Sequence, residues 1–229
     1  MTTQTCFLLS YVKYGDNGAI LNCFSKEQGF QSFFMTNIYS PKNKKKSYLF
    51  PLHQIQITLA TKRIGNALQN ISKIETVGNL SDYENTKINS ILFFISDFLY
   101  QVLREEQNSD KIYSEIEVFL EQLYDGNWDS YVSLLFKVLT KQGISPLVSD
   151  EVFLNPELGI FSCVQSIEMF DEELSSIWKS YLSTENSYQI KLKRGLRKKV
   201  IDSLMLYYSI HFHGFHEPIS LNVIQQIYE

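Results

Sequence analysis

The chain has 229 residues, 44% hydrophobic and 20% charged, with a formal net charge of -4. That length suits one large or two small domains, and the apolar content is ample for a packed core, which argues against a disordered chain. The three cysteines, Cys6, Cys23 and Cys163, are odd in number and far apart, which argues against a disulfide framework and for a reducing compartment.

The opening MTTQTCFLLS lacks the basic start and long apolar core of a signal peptide, and no apolar run reaches the length of a membrane span. A cytoplasmic protein is expected. TCFLLSYVKYG and AILNCFSKEQGFQSFFM read as strands joined by a hairpin at Asp16-Asn17-Gly18, because Asn and Gly tolerate positive φ. Glu27-Gln28-Gly29 marks the next turn. HQIQITLATK alternates, with Ile55, Ile57 and Leu59 on one face and Gln54, Gln56 and Thr58 on the other. LQNISKIETVG supplies a fifth strand ending near Gly78. Five short strands in about eighty residues suit a small antiparallel barrel of the oligonucleotide-binding (OB) type.

After Asn79 the period changes from two to about 3.6. Ile88, Ile91, Leu92, Ile95, Leu99 and Val102 recur at helical spacing, and helical patterns follow in DKIYSEIEVFLEQLYDG, WDSYVSLLFKVLTKQG, DEELSSIWKSYLS, RGLRKKVIDSLMLYYSIHF and SLNVIQQIYE. FLNPELGIFSCVQS, at about residues 150–167, has turn signals at Asn155-Pro156 and Gly159 and reads as a loop or short hairpin. The expected fold class is α+β, with an OB-type five-stranded barrel over residues 1–79 followed by an all-helical bundle over 80–229.

Charge is spread unevenly over this plan. Residues 1–79 carry nine Lys/Arg against three Asp/Glu, residues 80–190 six against nineteen, and residues 191–229 six against three. A basic first third beside an acidic middle suggests two modules with different partners. The sharpest concentration is YSPKNKKKSYLFP, where Lys42, Lys44, Lys45 and Lys46 fall on a connection between predicted strands, with Tyr39 and Tyr48 beside them. A lysine run alone reads as a solvated loop tip. Within an OB-type barrel, lysines interleaved with aromatic rings supply what single-strand binding needs, charge for phosphates and flat faces for bases. A second cluster, KLKRGLRKK, offers Lys191, Lys193, Arg194, Arg197 and Lys198, with Leu192, Leu196 and Val200 on one helical face and Lys191, Arg194 and Lys198 on another. Its charges oppose the dipole at a helix start, a placement that costs some stability and hints at use in binding.

Other constellations read as structural. HFHGFHEP holds three of the four histidines, but His211 and His213 at i, i+2 do not face each other on a helix, and Gly214 before Pro218 looks like a helix stop. Three cysteines exclude a four-cysteine zinc site, and no metal or other cofactor is expected. No glycine-rich phosphate loop and no nucleophile elbow occurs, and the acidic residues of the middle helices, such as Glu115, Glu117 and Glu121, are distributed like solvated faces. There is no positive case for an enzyme.

From YVKYGDNGAILNCFSKEQG near its start to LMLYYSIHFHGFHEPISLNVIQQIY near its end, the chain resembles the bacterial recombination mediator family RecO. YVKYGDNGAILNCFSKEQG is similar to the family's opening of strand, Tyr-Gly-acid turn, apolar strand and Ser/Thr-Lys-Glu-x-Gly turn. LFPLHQIQI, WDSYVSLLFKVLTKQGISP, LGIFS and LMLYYSIHFHGFHEPISLNVIQQIY resemble later family elements in the same order and spacing. The resemblance implies a non-enzymatic protein that binds single- and double-stranded DNA, anneals complementary strands and helps load recombinase onto coated single strands. It implies two protein partners: RecR, and the acidic C-terminal tail of single-stranded DNA-binding protein. Lys42, Lys44, Lys45 and Lys46 match the family's basic connection, while Lys137 and Lys141, or the cluster from Lys191, would suit the acidic tail. Family members commonly carry Gly-x-Arg before the basic connection; TNIYS stands there instead, so the resemblance implies that the usual phosphate contact is either lost or shifted to the lysines. Some members also carry four zinc cysteines in the later domain, where this chain has Cys163 alone. The competing class is a protein-interaction scaffold of the same repair complex with weak or no DNA binding.

Overall fold

The structure, a computed structural model, describes residues 2–41, 44–60, 68–78, 85–105 and 110–228. Five strands, β1 (Thr3–Tyr14), β2 (Gly18–Ser25), β3 (Gly29–Met35), β4 (Gln54–Leu59) and β5 (Gln69–Thr76), close into a barrel of order β1-β2-β3-β5-β4. Closure comes from antiparallel β1–β4 pairing, Cys6 opposite Ile55, while β3 and β5 run parallel, Phe33 opposite Gln69. This is the expected OB-type barrel, with the one departure that its β3–β5 pair is parallel where an antiparallel barrel is expected. Closure leaves the sheet without an open edge.

The period-two pattern sets which side chains fill it. Ile55, Ile57 and Leu59 of β4 point inward and join Cys6, Leu8, Leu21, Cys23, Phe33 and Ile74 in a buried core. Each such aliphatic or aromatic side chain is worth about 1.5–3 kcal/mol when buried, so a one-residue slip of register would be costly. Asn22 is the polar exception; its amide donates to Ser10 Oγ at 2.8 Å and its carbonyl accepts from Ser32 Oγ at 2.6 Å, so its burial leaves both ends satisfied. The β1–β2 register shifts between Leu8 and Ser10, a bulge at Leu9.

Residues Met1–Tyr113 with Pro218–Ile224 form one compact unit, and Ser114–Glu217 with Gln225–Glu229 a second. Within the first, helix α1 (Thr86–Val102) starts at Asn85, whose side chain accepts from the Lys87 and Ile88 amides. Its apolar face, Ile88, Ile91, Leu92, Ile95, Leu99 and Val102, is buried as the 3.6-residue period predicts. Ser96 on this helix donates its hydroxyl to the carbonyl of the bulged Leu9, satisfying a group the ladder leaves free. Phe7 meets Tyr113 at 4.7 Å between ring centroids, and Gln54 donates to the Tyr113 hydroxyl at 3.0 Å.

Helix α2 is Asp110–Tyr124. The second unit holds α3 (Ser130–Lys141), the hairpin β6 (Phe153–Asn155) and β7 (Ile160–Ser162), α4 (Glu172–Ser183) and α5 (Arg194–His211), and α6 spans Leu221–Tyr228. The segment at about 150–167 thus contains a short hairpin, Leu154 opposite Phe161. The core of this unit centres on fully buried Trp178, which meets Phe136 edge-on at 4.8 Å and Tyr207 at 5.1 Å and donates its indole N–H to Ser203 at 2.9 Å. Buried Tyr208 donates to the Leu135 carbonyl at 2.9 Å, which satisfies the polar end of that side chain. Among the described residues no helix is long and apolar enough to cross a membrane.

Candidate nucleic-acid interface

The basic connection leaves β3 and returns to β4 through a 3₁₀ helix, Lys44–Tyr48, closed by the Leu49 amide donating to the Lys46 carbonyl at 3.1 Å. Lys42 and the side chain of Lys44 lie outside the described residues. Lys45 is half-buried and Lys46 exposed. Tyr39 and Tyr48 are half-buried and pack against the barrel core, so each anchors the connection with part of its ring. The Tyr39 amide donates to the Asn17 carbonyl at 3.0 Å, tying the connection to the tip of the β1–β2 hairpin.

Around Tyr39 the barrel assembles a group that the lysine run only half announces. Lys46 Nζ lies 5.5 Å from the Tyr39 ring centroid, and Lys13 Nζ, from β1, lies 5.9 Å from the same centroid. Both fall within cation–π range. Tyr11, two residues before Lys13 and therefore on the same face of the strand, is 42% exposed. Burial, then the neighbouring Tyr11, pushes the Tyr39 hydroxyl above its ordinary pKa, so it remains a neutral donor. Neither Lys13 nor Lys46 forms an ion pair with a carboxylate among the described residues. Two ammonium groups gathered on one ring without a counter-charge among the described residues are an unfavourable arrangement for folding alone and a favourable one for a phosphate. Lys13 and Tyr11 did not stand out in the sequence. Their signal was the alternation in SYVKY, which carries a tyrosine and a lysine to one face.

The remaining basic residues are arranged differently. Lys191 and Lys193 are exposed but precede α5, with Lys193 in the extended geometry of a cap. The two helical faces expected, Leu192 with Leu196 and Val200 and Lys191 with Arg194 and Lys198, therefore lose Leu192 and Lys191, because the helix begins only at Arg194, whose side chain lies outside the described residues. Arg197 is engaged with Asp129, Nε to Oδ1 at 2.6 Å, with both side chains largely buried. Lys198 is exposed. Lys137 donates to the Glu185 carbonyl at 2.9 Å, and Lys141 pairs with Glu115 at 3.2 Å. Glu115 also accepts from Tyr188, whose hydroxyl is pushed well up, by burial first and then by the Glu115 charge. Arg197, Lys137 and Lys141 thus hold their own unit together.

His211 lies against the Pro156 carbonyl at 2.6 Å and the Tyr207 ring at 4.2 Å. Cys6 and Cys23 are buried in the barrel, where a hydrogen bond with Cys6 and then burial push the Cys23 thiol well up, away from a reactive thiolate. Among the described residues no group of three or more His, Cys, Asp or Glu could hold a metal ion.

Residues 1–80, the stretch containing the barrel strands, match the family described as Recombination protein O N terminal. The chain is 28% identical over 231 residues to the DNA repair protein RecO of Flavobacterium psychrophilum, with 96% of each chain covered. It is 26% identical over 231 residues to that of Christiangramia forsetii and 24% over 229 residues to that of Flavobacterium johnsoniae, again with 96% of each chain covered. The resemblance drawn from motif order and spacing is borne out along nearly the whole chain.

Proposed function

We propose that this RecO-like chain is a recombinational DNA repair mediator, which binds single- and double-stranded DNA through the barrel corner formed by Tyr11, Lys13, Tyr39 and Lys46. Similarity over nearly the full length to proteins named DNA repair protein RecO supports the repair role. The observation that carries the DNA contact is the pair of lysines on the Tyr39 ring, unneutralised by any carboxylate among the described residues. Lysines recognise the backbone charge and not the base sequence, so binding should be non-specific to first order and should weaken with salt. Annealing follows if one molecule holds a strand by its phosphates and lowers the repulsion felt by a complementary strand. Loading of recombinase with RecR, and capture of the acidic tail of single-stranded DNA-binding protein, complete the proposed role. Exposed Lys191, Lys193 and Lys198 remain candidates for that tail.

The test is binding of a labelled single-stranded oligonucleotide over a salt series, with annealing of two complementary strands measured in parallel. Salt-dependent binding with faster annealing supports the mediator. Absence of binding at low salt, with repair partners still bound, would leave the scaffold reading instead.

A further inference from the structure

Beside the Tyr39 corner, and within the same compact unit, lies a cavity of about 420 Å³ between β1 and α1. Tyr11 forms part of its wall, so the cavity opens next to the residue that adjoins Tyr39. The rest of the lining is mostly apolar or aromatic, including Phe93 and Tyr100, and Asp97 is its one carboxylate among the described residues. Phe93 is 54% exposed on a helix whose neighbouring apolar residues are buried, which places an aromatic face where core packing does not require one. Asp97 Oδ2 accepts the Ser220 hydroxyl at 3.3 Å, a long bond that leaves most of the acceptor capacity of the carboxylate uncommitted.

The charges select the occupant. A phosphate in the cavity would be repelled by Asp97, and a basic peptide approaching it would meet Lys13 and Lys46 on the adjoining corner. A nucleotide satisfies both: its phosphate faces the lysines while a neutral base, carrying N–H donors, enters between aromatic side chains toward the carboxylate. The bases differ in what they offer an acceptor-only group. Guanine presents N1–H and the N2 amino group side by side, a match for the two carboxylate oxygens. Adenine and cytosine present one amino group beside a ring-nitrogen acceptor, and thymine presents one N–H between two carbonyls. The volume is of the size used for small ligands and admits a base with its sugar.

We infer that the cavity bounded by Tyr11, Phe93, Asp97 and Tyr100 accepts one unstacked base of a bound single strand, with guanine preferred. This inference rests on the DNA-binding reading of the Tyr39 corner. It adds a base preference to a contact otherwise blind to sequence.

The test compares a labelled oligo-dT with the same oligonucleotide carrying a few dG substitutions, at one salt concentration, for the wild type and for Asp97→Asn and Phe93→Ser. Thermal unfolding checks that both variants fold. The expected wild-type preference for the dG strand is about fivefold or more, the scale of one bidentate base contact. Asp97→Asn should abolish that preference, so that the variant binds the dG strand and oligo-dT with equal affinity. Phe93→Ser, at an exposed site, should weaken binding of the dG strand more than that of oligo-dT. Equal affinity of the wild type for the two strands, or an undiminished preference in Asp97→Asn, would overturn the inference and leave the DNA-binding reading intact. Failure of the wild type to bind either strand at low salt would remove both. Free guanosine monophosphate should compete poorly, because it lacks the neighbouring phosphates. If it alone occupies the site as tightly as the dG strand does, the cavity is a free-nucleotide site and the strand-base assignment falls.

Discussion

The Tyr39 amide donates to the Asn17 carbonyl at 3.0 Å, and this bond fixes the basic connection against the tip of the first hairpin. Its consequence is that Lys13, at the end of β1, and Lys46, thirty-three positions later in the chain, approach one aromatic ring. A charge cluster of this kind should be read in the salt dependence of DNA binding. Replacing both Lys13 and Lys46 by Ala should lower affinity for a single strand and reduce the slope of log affinity against log salt by roughly 0.7 for each lost phosphate contact. Neither residue is needed to fill the core, so thermal stability should change little. An unchanged slope in the double variant would place the phosphate contacts elsewhere.

Tyr39 itself separates ring from hydroxyl. Tyr39→Phe keeps the face between the two lysines and should bind single strands like the wild type. Tyr39→Leu keeps much of the packing against the barrel core but removes the flat face, and should bind more weakly by about 1–3 kcal/mol if a base stacks there. Titration of both variants against one oligonucleotide checks this, and equal weakening in both would point to the hydroxyl instead.

Much of the barrel was legible because its signals are local. The alternation around Ile55, Ile57 and Leu59 fixed an inward face, and the helical spacing from Ile88 to Val102 fixed the buried side of α1. The hairpin at Asp16-Asn17-Gly18 was found, but its glycines have other roles than expected. Positive φ is carried by Gly15 at 63°, and Gly18 belongs to β2. At the second basic cluster, periodicity could not show where α5 begins; the extended backbone of Lys193 sets the start and leaves Lys191 and Leu192 outside. Lys13 beside Tyr39, and Asp97 beside Ser220, depend on barrel closure and on the return of residues 218–224 to the first unit. No window of sequence contains either pairing.

Gly18 should be intolerant for a reason unrelated to φ. A methyl group there would lie 2.8 Å from Phe34 Cε2 and 2.9 Å from the Tyr14 carbonyl oxygen, and a backbone oxygen in a ladder cannot move aside cheaply. Gly18→Ala is expected to cost about 1–3 kcal/mol through overpacking. Gly15→Ala meets open space but must hold a left-handed φ, at about 1–2 kcal/mol. Chemical denaturation of both gives the costs. A near-neutral Gly18→Ala would mean that Phe34 and the Tyr14 peptide can both shift.

His53 links the barrel to pH. It is 2% exposed, and its Nε2 lies 2.6 Å from Thr76 Oγ1. Burial lowers its pKa to about 4 from the ordinary 6.5. Between those values the unfolded chain binds the proton more readily than the folded one, so this contribution is complete above about pH 6.5 and is lost as pH falls toward 4. The full loss is on the order of 3 kcal/mol. Urea denaturation at several pH values should show that fall in the wild type and a smaller one in His53→Gln. Parallel pH profiles would assign the acid sensitivity to other groups.

Two ion pairs of α5 should behave oppositely although they are two positions apart. Arg197 and Asp129 have side chains only 17% and 13% exposed, whereas Lys199 and Asp171 are 50% and 40% exposed at 3.2 Å. Removing one partner of a mostly buried pair leaves the other charge poorly solvated, so Arg197→Ala should destabilise the chain by about 3 kcal/mol or somewhat less, given the residual exposure. Lys199→Ala should cost about 1 kcal/mol at most, because water screens that pair. Thermal and urea unfolding distinguish the two. The same contrast bears on tail-binding variants in KLKRGLRKK. A loss of binding in Lys191→Ala or Lys193→Ala with unfolding unchanged reports a contact. The same loss in Arg197→Ala reports a contact only if it persists at a temperature where the variant remains folded.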